Sequence, residues 1–241
     1  MTYKKTIAIF GAGPGLGASL AARFGSEGYR VALVARRAAP LQERVAELAQ
    51  AGIEAAAFSA DLGQLDGLPA LVQAIEQRFG AIDVAVYAPV PSIFGFVPAT
   101  EVSAAVLQEA AEVLLYAPIE ISRAVLRGQL QRGDGAIVLV GGLSALVPVP
   151  GLAAFGPVMA AARNYAFALN AEARGQGIYA GSVSIGAMID RSAGKLALEA
   201  QGIKIEADLP TMDPDDIAQE IWSLVTERKR GEAILPPLPV A

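Results

Sequence analysis

The fold is decided near the amino terminus, where the sequence reads Ile7-Ala-Ile-Phe10-Gly11-Ala-Gly-Pro-Gly15-Leu-Gly17. The first four residues form a short apolar run typical of a buried strand, and residues 16–27 have the apolar spacing of a helix. Gly11 permits a sharp turn off the strand, Gly15 allows the backbone to approach a pyrophosphate, and Gly17 allows the helix to pack closely. This order predicts a dinucleotide-binding site with the anion at the helix N-terminus; a purely structural turn is the alternative.

Apolar segments and segments of helical period alternate along the rest of the chain. Strands are predicted at residues 7–10, 31–34, 54–58, 82–87, 136–140, 178–184 and 233–235, and helices at 16–27, 41–50, 68–79, between 103 and 130, 160–174 and 215–228. The strand segments are continuously apolar, which is typical of a parallel sheet buried on both faces. The sequence therefore predicts an α/β fold: a Rossmann-like doubly wound parallel sheet in three αβα layers, forming a single domain over residues 1–241.

Composition excludes several classes of function. The 241 residues carry a net charge of −5, which argues against nucleic acid as a partner. The absence of Cys and His removes thiol nucleophiles, Ser-His-Asp triads and the usual zinc ligands, so no metal site is predicted. Residues 135–162 are uncharged, but Pro148, Pro150 and Pro157 prevent a continuous membrane-spanning helix. The amino terminus lacks the pattern of a signal peptide, so we expect a cytoplasmic protein without a membrane partner.

The end of the second strand indicates which dinucleotide would bind. An acidic residue there would hydrogen-bond the adenosine ribose and repel a 2′-phosphate. The sequence instead has Ala35-Arg36-Arg37, and guanidinium groups bind phosphate through bidentate, charge-assisted hydrogen bonds. This favours NADP(H) over NAD(H), with a solvated arginine pair as the alternative. Asp61 and Leu62, after the third strand, are expected beside the adenine.

The chain resembles the short-chain dehydrogenase/reductase superfamily over nearly its whole length. The resemblance is carried by Gly11-x-x-x-Gly15-x-Gly17, Asp61-Leu62, Gly80-Ala-Ile-Asp83, Gly135-Ala-Ile-Val138 and Asp213-Pro-Asp-Asp-Ile-Ala218. It implies hydride transfer between NAD(P)(H) and an alcohol or carbonyl of a small molecule, in a homodimer or homotetramer. The residues expected to bind the cofactor are Gly11, Pro14, Gly15, Leu16, Gly17, Arg36, Arg37, Asp61, Leu62 and Ala88.

The same resemblance implies a catalytic Asn, Ser, Tyr and Lys, and this chain departs from that set. The matching positions hold Leu114, Gly142, Phe155 and Met159. Phe155 cannot deliver a proton, and Met159 carries no charge to bind the nicotinamide ribose or to lower the pKa of an acid. Losing a positioned acid costs on the order of 10²–10⁴ in rate, so ordinary carbonyl reduction is expected to be impaired.

Other polar residues are candidates to replace a lost catalytic group. Arg163 lies one helical turn after Met159, where it either reaches the cofactor or packs on the surface. Tyr116 is either a displaced acid or a wall residue, and Ser144 either turns inward or caps a loop. Three further polar residues sit in the predicted substrate region, with solvated or wall positions as the alternative: Tyr87, Lys195 and Lys204.

An apolar wall is expected around the nicotinamide end of the cleft. Its members are Ile93, Phe94, Phe96, Val97, Leu146, Val147, Val149, Leu152, Phe155 and Met159. Such a wall suits an apolar ligand or an oligomer interface. Two hypotheses follow: an atypical NADP(H)-dependent oxidoreductase, or a non-redox descendant, acting on an apolar carbonyl-type substrate; and a catalytically silent protein that binds NADP(H) or pairs with an active subunit.

Overall fold

Parallel strands form one central sheet, and the fold class predicted from the sequence is confirmed. The computed structural model describes residues 3–89, 97–200 and 209–238. Its sheet contains β1 (Thr6–Phe10), β2 (Arg30–Ala35), β3 (Ala55–Ser59), β4 (Val84–Tyr87), β5 (Gly135–Gly142), β6 (Ile178–Ile185) and β9 (Glu232–Leu235). The strand order is β3-β2-β1-β4-β5-β6-β9, and every neighbouring pair is parallel. This is the doubly wound arrangement, in which the order reverses next to β1.

Helices cover both faces of the sheet. One face carries α1 (Leu16–Ser26), α2 (Ala38–Gln50) and α8 (Pro214–Glu227), and the other carries α3 (Leu68–Phe79), α5 (Ala117–Arg132) and α6 (Gly156–Ala173). Alternate residues of β1 serve the two layers, because successive side chains of a strand point to opposite faces. Ile7 and Ile9 pack in the first layer, and Ala8 and Phe10 pack in the second.

Two predicted helices have different boundaries in the structure. The helix predicted between 103 and 130 divides into α4 (Ala104–Ala111), a π-helical turn (Glu112–Tyr116) and α5, which continues to Arg132. The helix predicted at 160–174 begins earlier, at Gly156. Proline in the first turn of a helix has no N–H to leave unpaired, so Pro157 starts α6 rather than preventing it.

Short elements after β6 have no counterpart in the sequence-based prediction. They are β7 (Met188–Ile189), α7 (Ala193–Ala200) and β8 (Thr211–Met212), with β7 and β8 paired in a two-stranded parallel ribbon. A two-residue strand is too short to show periodicity in the sequence. The ribbon lies beyond the carboxyl end of β6, beside the crevice where ligands of such sheets bind. None of the helices within the described ranges is long and apolar enough to cross a membrane.

Candidate active site

The glycine loop joins the carboxyl ends of the central strands. Gly11 has a φ of +97°, and a Cβ atom there would lie 2.5 Å from the backbone nitrogen of Pro89. The N–H of Gly11 donates to the carbonyl of Val34 at 2.9 Å, and the N–H of Ala88 donates to the carbonyl of Phe10 at 2.8 Å. The loop therefore binds the ends of β1, β2 and β4 to one another, and only glycine fits at position 11.

The other glycines of the loop have different surroundings. Gly13 is exposed, as is Pro14, and a Cβ at Gly13 would have no neighbour within 4 Å. A Cβ at Gly17 would lie 2.6 Å from the Cα of Ala12, so Gly17 allows the helix to pack against the loop itself. The loop is therefore uncovered at Gly13, a few residues before the start of α1.

Gly15 lies against a neighbouring segment of backbone. A Cβ at Gly15 would lie 3.0 Å from the carbonyl oxygen of Asp190 and 3.0 Å from the Cα of Ser192. The backbone of residues 190 and 192 therefore lies against Gly15, and its approach to a pyrophosphate stays a prediction. Gly15 is the N-cap of α1 and offers no side-chain acceptor to the first turn, and the buried Leu16 can serve an anion only through its backbone.

The end of the crevice predicted to hold the adenine lies where β2 and β3 end. Arg36 and Arg37 follow β2 directly, and both are exposed. The hydroxyl of Ser59, at the end of β3, donates to the carbonyl oxygen of Arg36 at 2.8 Å. Asp61 is exposed and accepts a hydrogen bond from the backbone N–H of Gly63 at 3.0 Å. The guanidinium groups and the carboxylate thus belong to neighbouring strand ends.

Leu62 differs from Asp61 in where its side chain lies. It is buried in the core beneath α3, so only its backbone faces the end of β3.

The four positions matched to the catalytic set come together in the structure. Leu114, Phe155 and Met159 pack in one apolar cluster between the π-helical turn and α6. The backbone N–H of Gly142 donates to Met159 Sδ at 3.2 Å. A Cβ at Gly142 would lie 3.4 Å from that sulfur and 3.5 Å from the hydroxyl of Ser144. The site is therefore continuous and apolar, and the thioether is the acceptor that the Gly142 N–H uses.

A small cavity lies between this cluster and the sheet. Its volume is about 20 Å³, which is the space that one water molecule needs. The hydroxyl of Ser184 is buried at this cavity and has no hydrogen-bond partner among the described residues. Most of the wall is apolar, and the lining residues are Tyr87, Leu114, Pro118, Leu139, Val140, Gly141, Ala145, Met159, Ala162, Arg163, Ser182 and Ser184.

The tyrosines do not supply a proton donor aimed at this cavity. The Tyr87 hydroxyl donates to the carbonyl oxygen of Val113 in the π-helical turn at 2.5 Å, and its side chain is almost completely buried. Burial, and then the charge of Asp61, raise the pKa of Tyr87 far above its usual range. Tyr116, the last residue of the same turn, is 43% exposed. Tyr87 therefore stabilises the turn that places Leu114.

Arg163 has a protein partner that sequence analysis missed. Its Nε and Nη2 atoms donate to the carboxylate of Glu232, at the start of β9, at 2.5 and 2.6 Å. The guanidinium also lies 4.5 Å from the ring centre of Phe167. These hydrogen bonds raise the pKa of Arg163 despite partial desolvation. Nothing in the spacing of the sequence connects residues 163 and 232, so only the structure reveals this pair.

The remaining residues predicted to line the site differ in their surroundings. The Ser144 hydroxyl lies 3.9 Å from Met159 Sδ, so it does turn toward the site. Lys195 pairs with Asp190 at 2.7 Å, while Lys204 lies outside the described residues. In the apolar wall, Val97 and Leu152 form a β-bridge, whereas the side chains of Val147 and Val149 are exposed; three further members lie outside the described residues, namely Ile93, Phe94 and Phe96.

Comparison with known proteins decides the family. Residues 5–197 match the short chain dehydrogenase family model. The chain belongs to the short-chain dehydrogenase family. It is 28% identical over 233 residues to 2-(S)-hydroxypropyl-CoM dehydrogenase 3 of Xanthobacter autotrophicus, covering 93% of this chain and 90% of that protein. It is 27% identical over 184 residues to a short chain dehydrogenase of Pseudocercospora fijiensis, covering 76% of this chain and only 60% of the fungal protein.

A solved structure agrees with this family assignment. A metagenomic short-chain oxidoreductase in complex with NADP superimposes with a TM-score of 0.80 at 25% identity, over 98% of each chain. Members of the short-chain dehydrogenase family are oxidoreductases that bind NAD(P) and small-molecule substrates, and they often form oligomers. The family thus explains the glycine loop, while the apolar cluster at Leu114, Phe155 and Met159 is a property of this chain.

Proposed function

We propose that this chain binds NADP(H) and acts as an atypical oxidoreductase on an apolar carbonyl-type substrate. The cofactor fits the residues present: the open side of Gly13 lies beside the start of α1, and Arg36 and Arg37 follow β2. Backbone N–H groups at a helix start favour a pyrophosphate, and exposed guanidinium groups favour a 2′-phosphate. The similarity to an oxidoreductase in complex with NADP supports the same preference. NADPH, when bound, supplies a hydride.

The surroundings of Met159 are the reason for proposing an atypical reaction. The residue expected to be a cationic lysine is Met159, whose sulfur accepts a hydrogen bond from the Gly142 N–H inside an apolar cluster. None of the four matched side chains, Leu114, Gly142, Phe155 and Met159, can donate a proton. A proton for the developing alkoxide would then come from water or from the substrate itself, and the protein would act by orienting the reactants and excluding bulk solvent.

The small cavity favours a second candidate function. A volume of about 20 Å³ beside Met159 holds no substrate-sized molecule. On this alternative, the chain binds NADP(H) without turnover, as a sensor or as a partner of an active subunit. A homodimer or homotetramer, which the family often forms, is compatible with both functions.

A binding titration and an activity screen separate these functions. NADPH and NADH binding are followed by nucleotide fluorescence, and NADPH consumption is then measured with apolar ketones and aldehydes. We expect NADPH to bind more tightly than NADH. Turnover of any apolar carbonyl supports the oxidoreductase, tight binding without turnover supports the silent protein, and failure to bind either dinucleotide contradicts both.

Restoring the polar groups tests the assignment of the catalytic positions. The triple variant Gly142→Ser, Phe155→Tyr, Met159→Lys should raise carbonyl reductase activity by about 10² or more, because a positioned acid contributes on the order of 10²–10⁴. The matched control, Gly142→Ala, Phe155→Leu, Met159→Leu, changes the same positions without adding a proton donor. If both variants bind NADPH and have equal activity, these positions are not the equivalents of the family's catalytic residues.

A further inference from the structure

A short segment after β6 lies directly on the glycine loop. Residues 188–192, here called the crevice strap, include β7 and the following turn. The Asp190 carbonyl and the Ser192 Cα would each lie 3.0 Å from a Cβ at Gly15, so the two backbones are in contact at the start of α1. Any dinucleotide bound at that helix start must enter and leave beside the strap.

Backbone hydrogen bonds to β8 and to the residue before it hold the strap. The Met188 N–H donates to the Pro210 carbonyl at 2.8 Å, and the Asp190 N–H donates to the Met212 carbonyl at 2.9 Å. The strap is half-buried at best, and Ile189 packs only at the edge of the core. Segments with few buried apolar contacts open at low free-energy cost, so polar contacts decide how firmly the strap is held.

Arg191 connects the strap to the start of α8 through ion pairs. Its guanidinium lies 2.6 Å from a carboxylate oxygen of Asp213 and 3.1 Å from one of Asp215, both at the start of α8. Ser19 of α1 and then Arg191 lower the pKa of Asp215, which places the Asp215 carboxylate between the strap and α1. Arg191 has a φ of +57°, which side-chain-bearing residues adopt only where the surroundings impose it.

These contacts form a bridge from the strap through α8 to α1. We propose that Arg191 is a positioning residue for the cofactor: by pairing with Asp213 and Asp215 it holds the crevice strap on the glycine loop and so slows release of the bound dinucleotide. The proposal rests on the proposed binding of NADP(H) in this crevice. Lys195 provides a comparison, because its partner Asp190 belongs to the strap itself and their ion pair does not reach α8.

Hydrogen exchange and release kinetics test the bridge. The variants are Arg191→Gln, which removes the charge; Arg191→Lys, which keeps it; and the control Lys195→Gln. In the cofactor-free protein, Arg191→Gln should speed amide exchange of residues 188–192 without changing that of β6. The rate of NADPH release should rise by about threefold to tenfold, since exposed ion pairs contribute modestly. Arg191→Lys should restore part of the effect, and Lys195→Gln, which removes a strap contact that does not reach α8, should speed exchange and release less than Arg191→Gln does.

Salt provides an independent measurement of the same bridge. Raising the NaCl concentration to about 0.5 M should speed NADPH release from the wild type more than from Arg191→Gln, because exposed charges are screened.

The outcomes separate the two proposals. Unchanged strap exchange in Arg191→Gln overturns the bridge, whatever the cofactor does. Faster exchange with an unchanged release rate overturns the positioning role. A wild-type protein that binds neither NADPH nor NADH contradicts the proposed function and the positioning role together, while hydrogen exchange still decides whether the bridge holds the strap.

Discussion

The two ends of the crevice differ in the kind of group that forms them. At the glycine loop, the important features are backbone: the positive φ of Gly11, the open side of Gly13 and the start of α1. At the β5–α6 end, the important features are side chains, and Leu114 and Met159, two of the positions matched to the family's catalytic set, lie there in an apolar cluster. A binding site made of backbone survives wide changes of sequence, whereas a proton donor is lost with a single substitution.

This difference is the basis for assigning the fold to the family while proposing an atypical reaction for this chain. Dinucleotide binding requires space, a helix start and a few cations, all of which the described residues provide. Proton transfer requires an acid at one place, and the described residues around Met159 offer a thioether and an apolar cluster there. Substitutions at either end of the crevice test this contrast between backbone and side-chain groups.

Gly11→Ala should have the largest effect. A Cβ would overlap the backbone at Pro89 and the φ of +97° would be strained, so we expect a loss of about 3 kcal/mol or more in the free energy of unfolding and loss of NADPH binding. Gly13→Ala is the matched control for folding, because its Cβ would meet nothing within 4 Å. Equal denaturation midpoints for the two variants would show that the loop is not fixed by backbone contact.

Arg36→Asp tests the cation at the binding end. Replacing the guanidinium by a carboxylate should weaken NADPH binding by about tenfold or more and strengthen NADH binding, because the acid repels a 2′-phosphate and hydrogen-bonds the ribose. Arg44→Asp, at a partly exposed position of α2, makes the same change of charge outside the predicted contacts. An unchanged NADPH-to-NADH ratio in Arg36→Asp would remove the cofactor preference.

Tyr87→Phe tests whether the Tyr87 hydroxyl is a proton donor at the β5–α6 end of the crevice. The variant leaves the Val113 carbonyl without its partner, so we expect a loss of about 1 kcal/mol in the free energy of unfolding and no change in turnover per bound cofactor. A drop in turnover of about 10² would identify Tyr87 as the proton donor and end the contrast between the two ends.

Asp134 provides a reference away from both ends of the crevice. Partial burial raises the pKa of Asp134, but hydrogen bonds from Arg228 at 2.7 Å and Lys5 at 3.1 Å outweigh it and lower the pKa below its ordinary value. The pairing therefore stabilises the fold above the ordinary pKa of the carboxyl, and this contribution is lost as the pH falls through the lowered value.

Because the Asp134 side chain is nearly half exposed, the effect should be only a few tenths of a kcal/mol. Denaturant unfolding of the wild type and Asp134→Asn from pH 7 to pH 3 measures it. The difference between them should shrink toward low pH and should be the same with and without NADPH.

Most of the fold could be predicted because its signals are local. The apolar strands and the glycine loop are continuous in sequence, and their predicted positions agree with β1, β2 and β6 to within two residues. The π-helical turn at residues 112–116 was not predictable, since it depends on Tyr87 donating to Val113 from another element. The ribbon of β7 and β8 was missed because two-residue strands leave no pattern.

For the candidate site too, some features could be predicted from the sequence and others could not. The prediction that Phe155 and Met159 stand where the family has its acid and its lysine comes from the sequence, because the family's spacing matches them. The bond from the Gly142 N–H to Met159 Sδ and the packing of the Asp190 backbone on Gly15 cannot, because both join residues far apart in the chain.

The sequence by itself determined the family and the order of strands and helices, and it carries the prediction that the usual proton donors are missing, because these depend on residue type and local spacing. Only the tertiary structure decided that Arg163 is bound to Glu232, that Tyr87 is bound to Val113 and that Arg191 bridges to α8. Such pairings depend on distances between segments that are remote in sequence, and packing of the whole chain is what sets those distances.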